Sequence, residues 1–176
     1  MRDVESVGGA CGGGPSSVQQ MESGAFRVPT PECYSGVSHC TSEIAPSQIL
    51  DGLSNTYAVG ERSIPPAHYE DGKLHSNDWS MYVGVQDDIY RSAFLHSTGR
   101  PAYIPLPDRD GLTVDQFYGS AHPAGCYFAL CDGSVQFVSY DVEPLVHWRS
   151  AHRSDEGGEP NSLSDSGFCP TAPFRP

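Results

Sequence analysis

His122 and Cys126 stand four residues apart in the string Ser120-Ala121-His122-Pro123-Ala124-Gly125-Cys126. An imidazole beside a thiol gives an activated sulfur nucleophile when the thiolate is stabilised. The plainer alternative, adopted here, is a Cys126 buried in a strand or held in a disulfide. His122 with a nearby carboxylate would suit hydrolysis by general acid–base catalysis, or the ring would serve a metal or solute as a ligand. Against these stands a ring that hydrogen-bonds to backbone or a carboxylate and fixes the approach to a strand, and this is the expected role. Carboxylates that suit calcium occur at Asp87 and Asp88, at Asp108 and Asp110, and at Asp155 and Glu156, the hard oxygen donors that this ion prefers. No Asp-x-Asp-x-Asp-Gly run accompanies them, so solvated loop acids are the commoner outcome. Cys33, His39 and Cys40 offer soft ligands, yet a fourth zinc partner and a standard finger spacing are lacking. The sequence has no Gly-rich phosphate loop, no Gly-x-Ser-x-Gly elbow, no His-Glu-x-x-His and no Cys-x-x-Cys-His. A non-enzymatic role without a cofactor is therefore expected, with calcium at Asp87, Asp88, Asp108 or Asp110 as the ion kept open.

The elements that would position His122 are the clearest in the chain. Cys126 to Cys131 and Ser134 to Tyr140 are β-prone runs joined by Asp132-Gly133, a pair that favours tight hairpin turns because both residues tolerate positive φ. A two-residue loop there places Cys131 opposite Ser134, Leu130 opposite Val135, Ala129 opposite Gln136, Phe128 opposite Phe137 and Tyr127 opposite Val138. Phe128, Leu130, Val135 and Phe137 then share the core face. A helix follows: Asp141 suits its cap, Glu143 and Pro144 its first turn, and Leu145, Trp148 and Ala151 or His152 its apolar stripe. Upstream, Thr56 to Val59 alternates as a strand leading into Gly60-Glu61, while Asp51-Gly52 and Asn55 read as turn residues with Asx hydrogen bonding. Glu61 is less easily explained by a turn and is expected to pair with Arg62 or a buried donor. Further short strands are expected at residues 25–28 and 78–83, and residues 101–111, with three prolines, read as a surface loop.

His122 and Asp132-Gly133, with nine residues between them, resemble the H-x9-DG signature of the prepilin-type processing-associated family. That group is of unknown function and is sometimes labelled solute-binding. The block Ser47-Gln48-Ile49-Leu50-Asp51-Gly52-Leu53-Ser54-Asn55-Thr56-Tyr57-Ala58-Val59-Gly60-Glu61 is similar to the family's "I-x-DG-x-SNT" string running into "VGE". The resemblance covers roughly residues 24–160 and closes with Val146-His147-Trp148-Arg149 and Arg153-Ser154-Asp155-Glu156-Gly157-Gly158-Glu159. It implies a pilin-like globular fold and makes His122, Asp132, Gly133, Asp51, Gly52, Asn55 and Glu61 structural motif residues. It also implies an extracytoplasmic, pseudopilin-like subunit that self-assembles or joins a filament or surface complex of the type II secretion or type IV pilus kind. Broader analogy to major pseudopilins raises the calcium reading, and a small-solute or calcium module in the loops around residues 85–115 is the alternative. Family members usually open with a prepilin leader and a long apolar helix, and neither is legible here. No apolar run approaches the ~18 residues of a membrane span, so no span is expected within this chain.

Composition bounds what surrounds these motifs. Over 176 residues, 19 Gly and 15 Pro with only 18% charged residues indicate short elements and many turns. The fold class expected is a single α+β domain dominated by antiparallel strands, spanning residues 23–160. A flexible Gly/Ser-rich entry (1–22) precedes it and a Ser/Pro-rich tail (161–176) follows. A formal net charge of -12 opposes binding to polyphosphate backbones, which sets nucleic acid aside as a partner and leaves proteins. Six cysteines point to an oxidising compartment. Cys126 and Cys131, about 16 Å apart along one strand, cannot pair. Cys33 and Cys40 enclose a loop short enough to close, stabilising by roughly 2.5 kcal/mol.

Overall fold

The computed structural model describes residues 17–23, 25, 27–29, 35–39, 42–78, 80, 82, 88–93, 103–111, 117–155 and 171–173. Among these residues two short helices, α1 (Val18–Glu22) and α2 (Pro144–Ser150), accompany seven strands. The strands are β1 (Arg27–Pro29), β2 (Tyr57–Gly60), β3 (Leu106–Pro107), β4 (Gly119–Ser120), β5 (Gly125–Leu130), β6 (Val135–Ser139) and β7 (Thr171–Pro173). Single 3₁₀ turns lie at Pro46–Gln48, Pro66–His68 and His75–Asn77. The largest sheet is antiparallel in the order β2-β5-β6; β3-β4 form a separate parallel pair and β1-β7 a separate antiparallel pair. The class is α+β, with one short helix after the last hairpin, as the turn-rich composition predicts.

The hairpin forms where expected, but its register is shifted by one residue. Cys126 faces Val138, Tyr127 faces Phe137, Phe128 faces Gln136 and Ala129 faces Val135. The loop holds three residues rather than two. Gly133 N–H donates to Leu130 C=O at 3.0 Å and Leu130 N–H to Ser134 C=O at 2.8 Å. Gly133, at φ +87°, takes the left-handed position that closes such a loop and that other residues occupy only with strain. Because side chains alternate, one extra loop residue turns β6 over. Phe128 and Leu130 are buried with Cys126 and Val138, whereas Val135 and Phe137, placed in the core by the two-residue loop, face outward.

Under the sheet, Phe128 stacks on Tyr57 at 4.0 Å between ring centroids and meets Tyr118 at 4.9 Å. Gly60 is needed beside them, since a Cβ there would lie 2.5 Å from Phe128 Cε1 and 2.7 Å from Tyr118 Cδ1. Helix α2 caps this aromatic layer through His147, which is buried and approaches Tyr57, Phe128 and Tyr118 at 5.5, 5.7 and 5.9 Å. Trp148 is buried as the spacing predicts and packs on His152 at 3.9 Å. The cap is Glu143, not Asp141: its side chain accepts from Val146 N–H at 2.9 Å, with Pro144 at the first helical position. Pro needs no amide partner there.

Elsewhere the expectations meet mixed outcomes. Asp78, Ser80 and Tyr82 lie in turns and loop rather than in the strand expected over 78–83. The 101–111 loop contains β3, because Leu106 N–H reaches Tyr118 C=O and Asp108 N–H reaches Ser120 C=O, both at 2.9 Å. Helix α1, capped by Ser17, ends the Gly-rich entry. The tail returns as β7 to pair with β1, aligning Val28 with Ala172.

Candidate functional site

The two sequence blocks are brought together, and the upstream one fastens both ends of the hairpin. At the turn end, Cys131 N–H donates to Thr56 C=O at 2.9 Å and Asp132 N–H to Leu53 C=O at 3.1 Å. The Asp132 carboxylate accepts from Ser134 Oγ at 2.6 Å and Ser134 N–H at 2.9 Å. With a further bond from Ser54, these donors hold the carboxyl below its usual range. Asp51, Gly52 and Asn55 make the turn that presents Leu53 and Ser54. Asn55 Nδ2 donates to Asp51 C=O at 2.8 Å, and Gly52, at φ +95°, accepts at its C=O from Asn55 N–H and Thr56 Oγ1. Asp51 also reaches the residues just after α2, accepting from Asp155 N–H at 2.7 Å, while Leu50 N–H donates to Arg153 C=O at 2.7 Å. Asp155 further meets Arg149 Nε at 3.6 Å.

At the open end the fastening residue is Glu61. Its N–H donates to Tyr127 C=O at 3.1 Å, and its Oε2 accepts from Tyr127 N–H at 2.7 Å. The side chain thus continues the β2–β5 ladder past the last residue of β2, and the partner is the Tyr127 backbone rather than Arg62. Arg62 instead donates to the carbonyls of Ser76 and Asp88 and to Asn77 Oδ1. His122 Nε2 stands 3.7 Å from Glu61 Oε1, with its ring edge-on to Tyr127 at 5.8 Å between centroids. The ring is more than half exposed. An exposed side-chain contact of this kind contributes little to stability.

Two residues passed over in the sequence complete this end. Ser120 is buried, donates from Oγ to Gly125 C=O at 2.9 Å and accepts from His122 N–H at 3.1 Å. Tyr140 Oη lies within 3.0 Å of the carbonyls of both Ser120 and His122. They fix the His122 backbone through hydroxyls, and a tyrosine closing a strand opposite a serine-bearing turn was the signal available for them.

Cys126 and His122 do not form a nucleophile pair. Cys126 is fully buried and its thiol is pushed up to about 12, mainly by burial, so it stays protonated at neutral pH. Cys126 and Cys131 are both free thiols, in keeping with the strand geometry. Cys33 and Cys40 lie outside the described residues, as do Asp87 and Glu156; His39 is buried.

The loop acids are committed to internal partners. Asp108 accepts from Ile64 N–H at 2.9 Å and from Tyr69 Oη at 2.6 Å, a bond that raises the Tyr69 phenol to about 12. Asp110 accepts from Ala67 N–H at 2.9 Å. Both strap the 64–69 segment to the β3 loop instead of converging on an ion, and Asp88 is buried. Among the described residues, no three His, Cys, Asp or Glu side chains are grouped to hold a metal, and no helix is long and apolar enough to cross a membrane.

The outward face of the sheet is apolar. Val59 and Val135 are each 68% exposed, Tyr127 46% and Phe137 45%. Val59, Ala129 and Val135 form one cross-strand row, and Glu61, Tyr127 and Phe137 the next, with the Tyr127 and Phe137 rings edge-to-face at 5.3 Å. The model of a family described as "Protein of unknown function (DUF1559)" matches residues 8–145. No curated protein and no solved structure matches the chain.

Proposed function

Because the chain belongs to the family described as "Protein of unknown function (DUF1559)", we propose that it is a non-enzymatic, extracytoplasmic subunit of a surface or filament assembly. The pseudopilin-like H-x9-DG motif, His122 through Asp132-Gly133, serves in this reading as its structural clasp. The observation that carries the reading is the uncovered face of Val59, Tyr127, Val135 and Phe137. Contiguous exposed apolar side chains on a folded sheet mark surfaces that other molecules cover. The clasp supports it further: His122, Asp132, Gly133 and Glu61 are engaged with backbone and with one another around a sheet, which is the work of a scaffold.

The test combines location with contact. A photo-crosslinking residue at Phe137, in cells producing the full chain, should give discrete protein adducts, and the protein should be degraded by protease added outside the cytoplasmic membrane. Protection from protease, with no adduct, would overturn the reading. The family's solute-binding label supports a second reading, a small-solute or calcium module. Calorimetric titration of chelator-treated protein with calcium tests it, and a binding isotherm that Asp108→Asn abolishes would favour it.

A further inference from the structure

We propose that β6 is a self-pairing edge through which two copies of this chain join their sheets about a twofold axis. This deepens the assembly role and rests on it, by naming the partner of the apolar face as a second copy. The inner edge of β6 is spent on β5. Leu130 N–H donates to Ser134 C=O and Tyr140 N–H to Ala124 C=O, so in the antiparallel alternation Gln136 and Val138 also bond inward. Val135 and Phe137 consequently turn their N–H and C=O groups to the outer edge, where no strand is paired among the described residues. These are also the two residues of β6 whose large apolar side chains stand exposed on the outward face.

Free edges are ordinarily guarded by charged side chains, proline or a bulge. The strand Val135-Gln136-Phe137-Val138-Ser139 has none of these. Its neutrality selects the occupant. Two copies carrying -12 each repel over most of their surfaces, whereas the five residues of β6 are uncharged and acids (Asp132 and Asp141) adjoin the paired segment only at its ends. The strand is also self-complementary. An antiparallel register centred on Gln136 places Val135 opposite Phe137 of the second copy, and Phe137 opposite its Val135. Both positions present outward hydrogen-bonding groups, so the pairs exchange bonds directly, and each is an aromatic–β-branched pair of the favourable kind. The result is one six-stranded sheet with a continuous apolar face, which a partner of opposite charge would not need.

Sedimentation velocity of the full chain, from about 1 to about 100 μM, tests the pairing. Wild type is expected to dimerise, and more tightly as salt is raised, because the repulsion between acidic copies is screened. Val135→Lys and Phe137→Glu, each checked for an unchanged unfolding midpoint, should each weaken the dimer at least about tenfold. An equimolar mixture of the two variants should recover it, since the introduced lysine of one copy then faces the introduced glutamate of the other. A wild type monomeric throughout, variants that dimerise undiminished, or a mixture that fails to recover would each overturn the proposal. A monomer in solution that still cross-links from Phe137 to a different surface protein would remove self-pairing while leaving the assembly role standing.

Discussion

Acid should loosen this fold through His147 before its carboxylates titrate. Its ring is buried among Tyr57, Tyr118 and Phe128, and neither ring nitrogen has a hydrogen-bond partner among the described residues. Burial lowers its pKa from 6.5 to about 4. The unfolded chain therefore takes up the proton first, and by linkage the stability difference is fully present above about pH 6.5 and is lost progressively as the pH falls toward 4. The whole drop corresponds to roughly 3 kcal/mol. For a chain of this size that is about 6–12 °C of unfolding midpoint. His147→Phe keeps an aromatic ring in the layer, removes both unpartnered nitrogens and removes the titration. Its midpoint at pH 7 should match or exceed wild type. Between pH 6.5 and 4 the gap between the two proteins should widen by that amount, measured by circular dichroism in buffers of constant ionic strength. Parallel curves across this window would show that His147 is solvated or bonded in the folded state, and would refute the buried-ring account.

Phe128→Ala should cost about 3–5 kcal/mol in urea unfolding, as buried aromatic truncations do, whereas Phe137→Ala should cost about 1 kcal/mol or less in the monomer; equal losses would restore the two-residue loop. Gly60→Ala should destabilise by about 1–3 kcal/mol, because the new methyl group meets the Phe128 ring, and a midpoint equal to wild type would contradict that packing. His122→Ala should cost at most about 1 kcal/mol, and Glu61→Ala more, since it strands the Tyr127 N–H; amide exchange at Tyr127 reports the difference. Glu143→Ala should cost about 1 kcal/mol by uncapping α2, seen as faster exchange at Val146.

Where sequence reading succeeded, the signals were local. Asp132-Gly133 marks a turn because Gly133 needs positive φ, and Trp148 marks a buried helical stripe through its spacing from Leu145. The register was not legible, because Asp-Gly serves a two-residue loop and a three-residue loop alike. The choice depends on Cys131 and Asp132 donating to Thr56 and Leu53, contacts over seventy residues away in sequence. The loop acids failed for a similar reason: nothing near Asp108 announces that its oxygens are taken by Ile64 and Tyr69. His147 was left out of the stripe because the spacing from Leu145 selects Trp148, although His147, one position earlier, is buried beside it. Glu61 was flagged as a residue that a turn would not explain; of the two partners expected, Arg62 or a buried donor, Arg62 is not the one, and the carboxylate accepts from the Tyr127 backbone N–H.

The double fastening of the hairpin to residues 52–61 has a topological consequence. The chain leaves the central sheet after Glu61 and comes back beside it at Tyr118, where Gly119 N–H meets Glu61 C=O at 3.0 Å, so the connection between them is a detour in the sequence. Closing a detour costs free energy that grows only with the logarithm of its length, about 0.6 kcal/mol for each doubling. Extra residues there leave both fastenings intact. A single residue added to or removed from Cys131-Asp132-Gly133 would instead turn β6 inside out. The same chain therefore contains a long connection whose closure is insensitive to added length and a three-residue loop that tolerates no change of length.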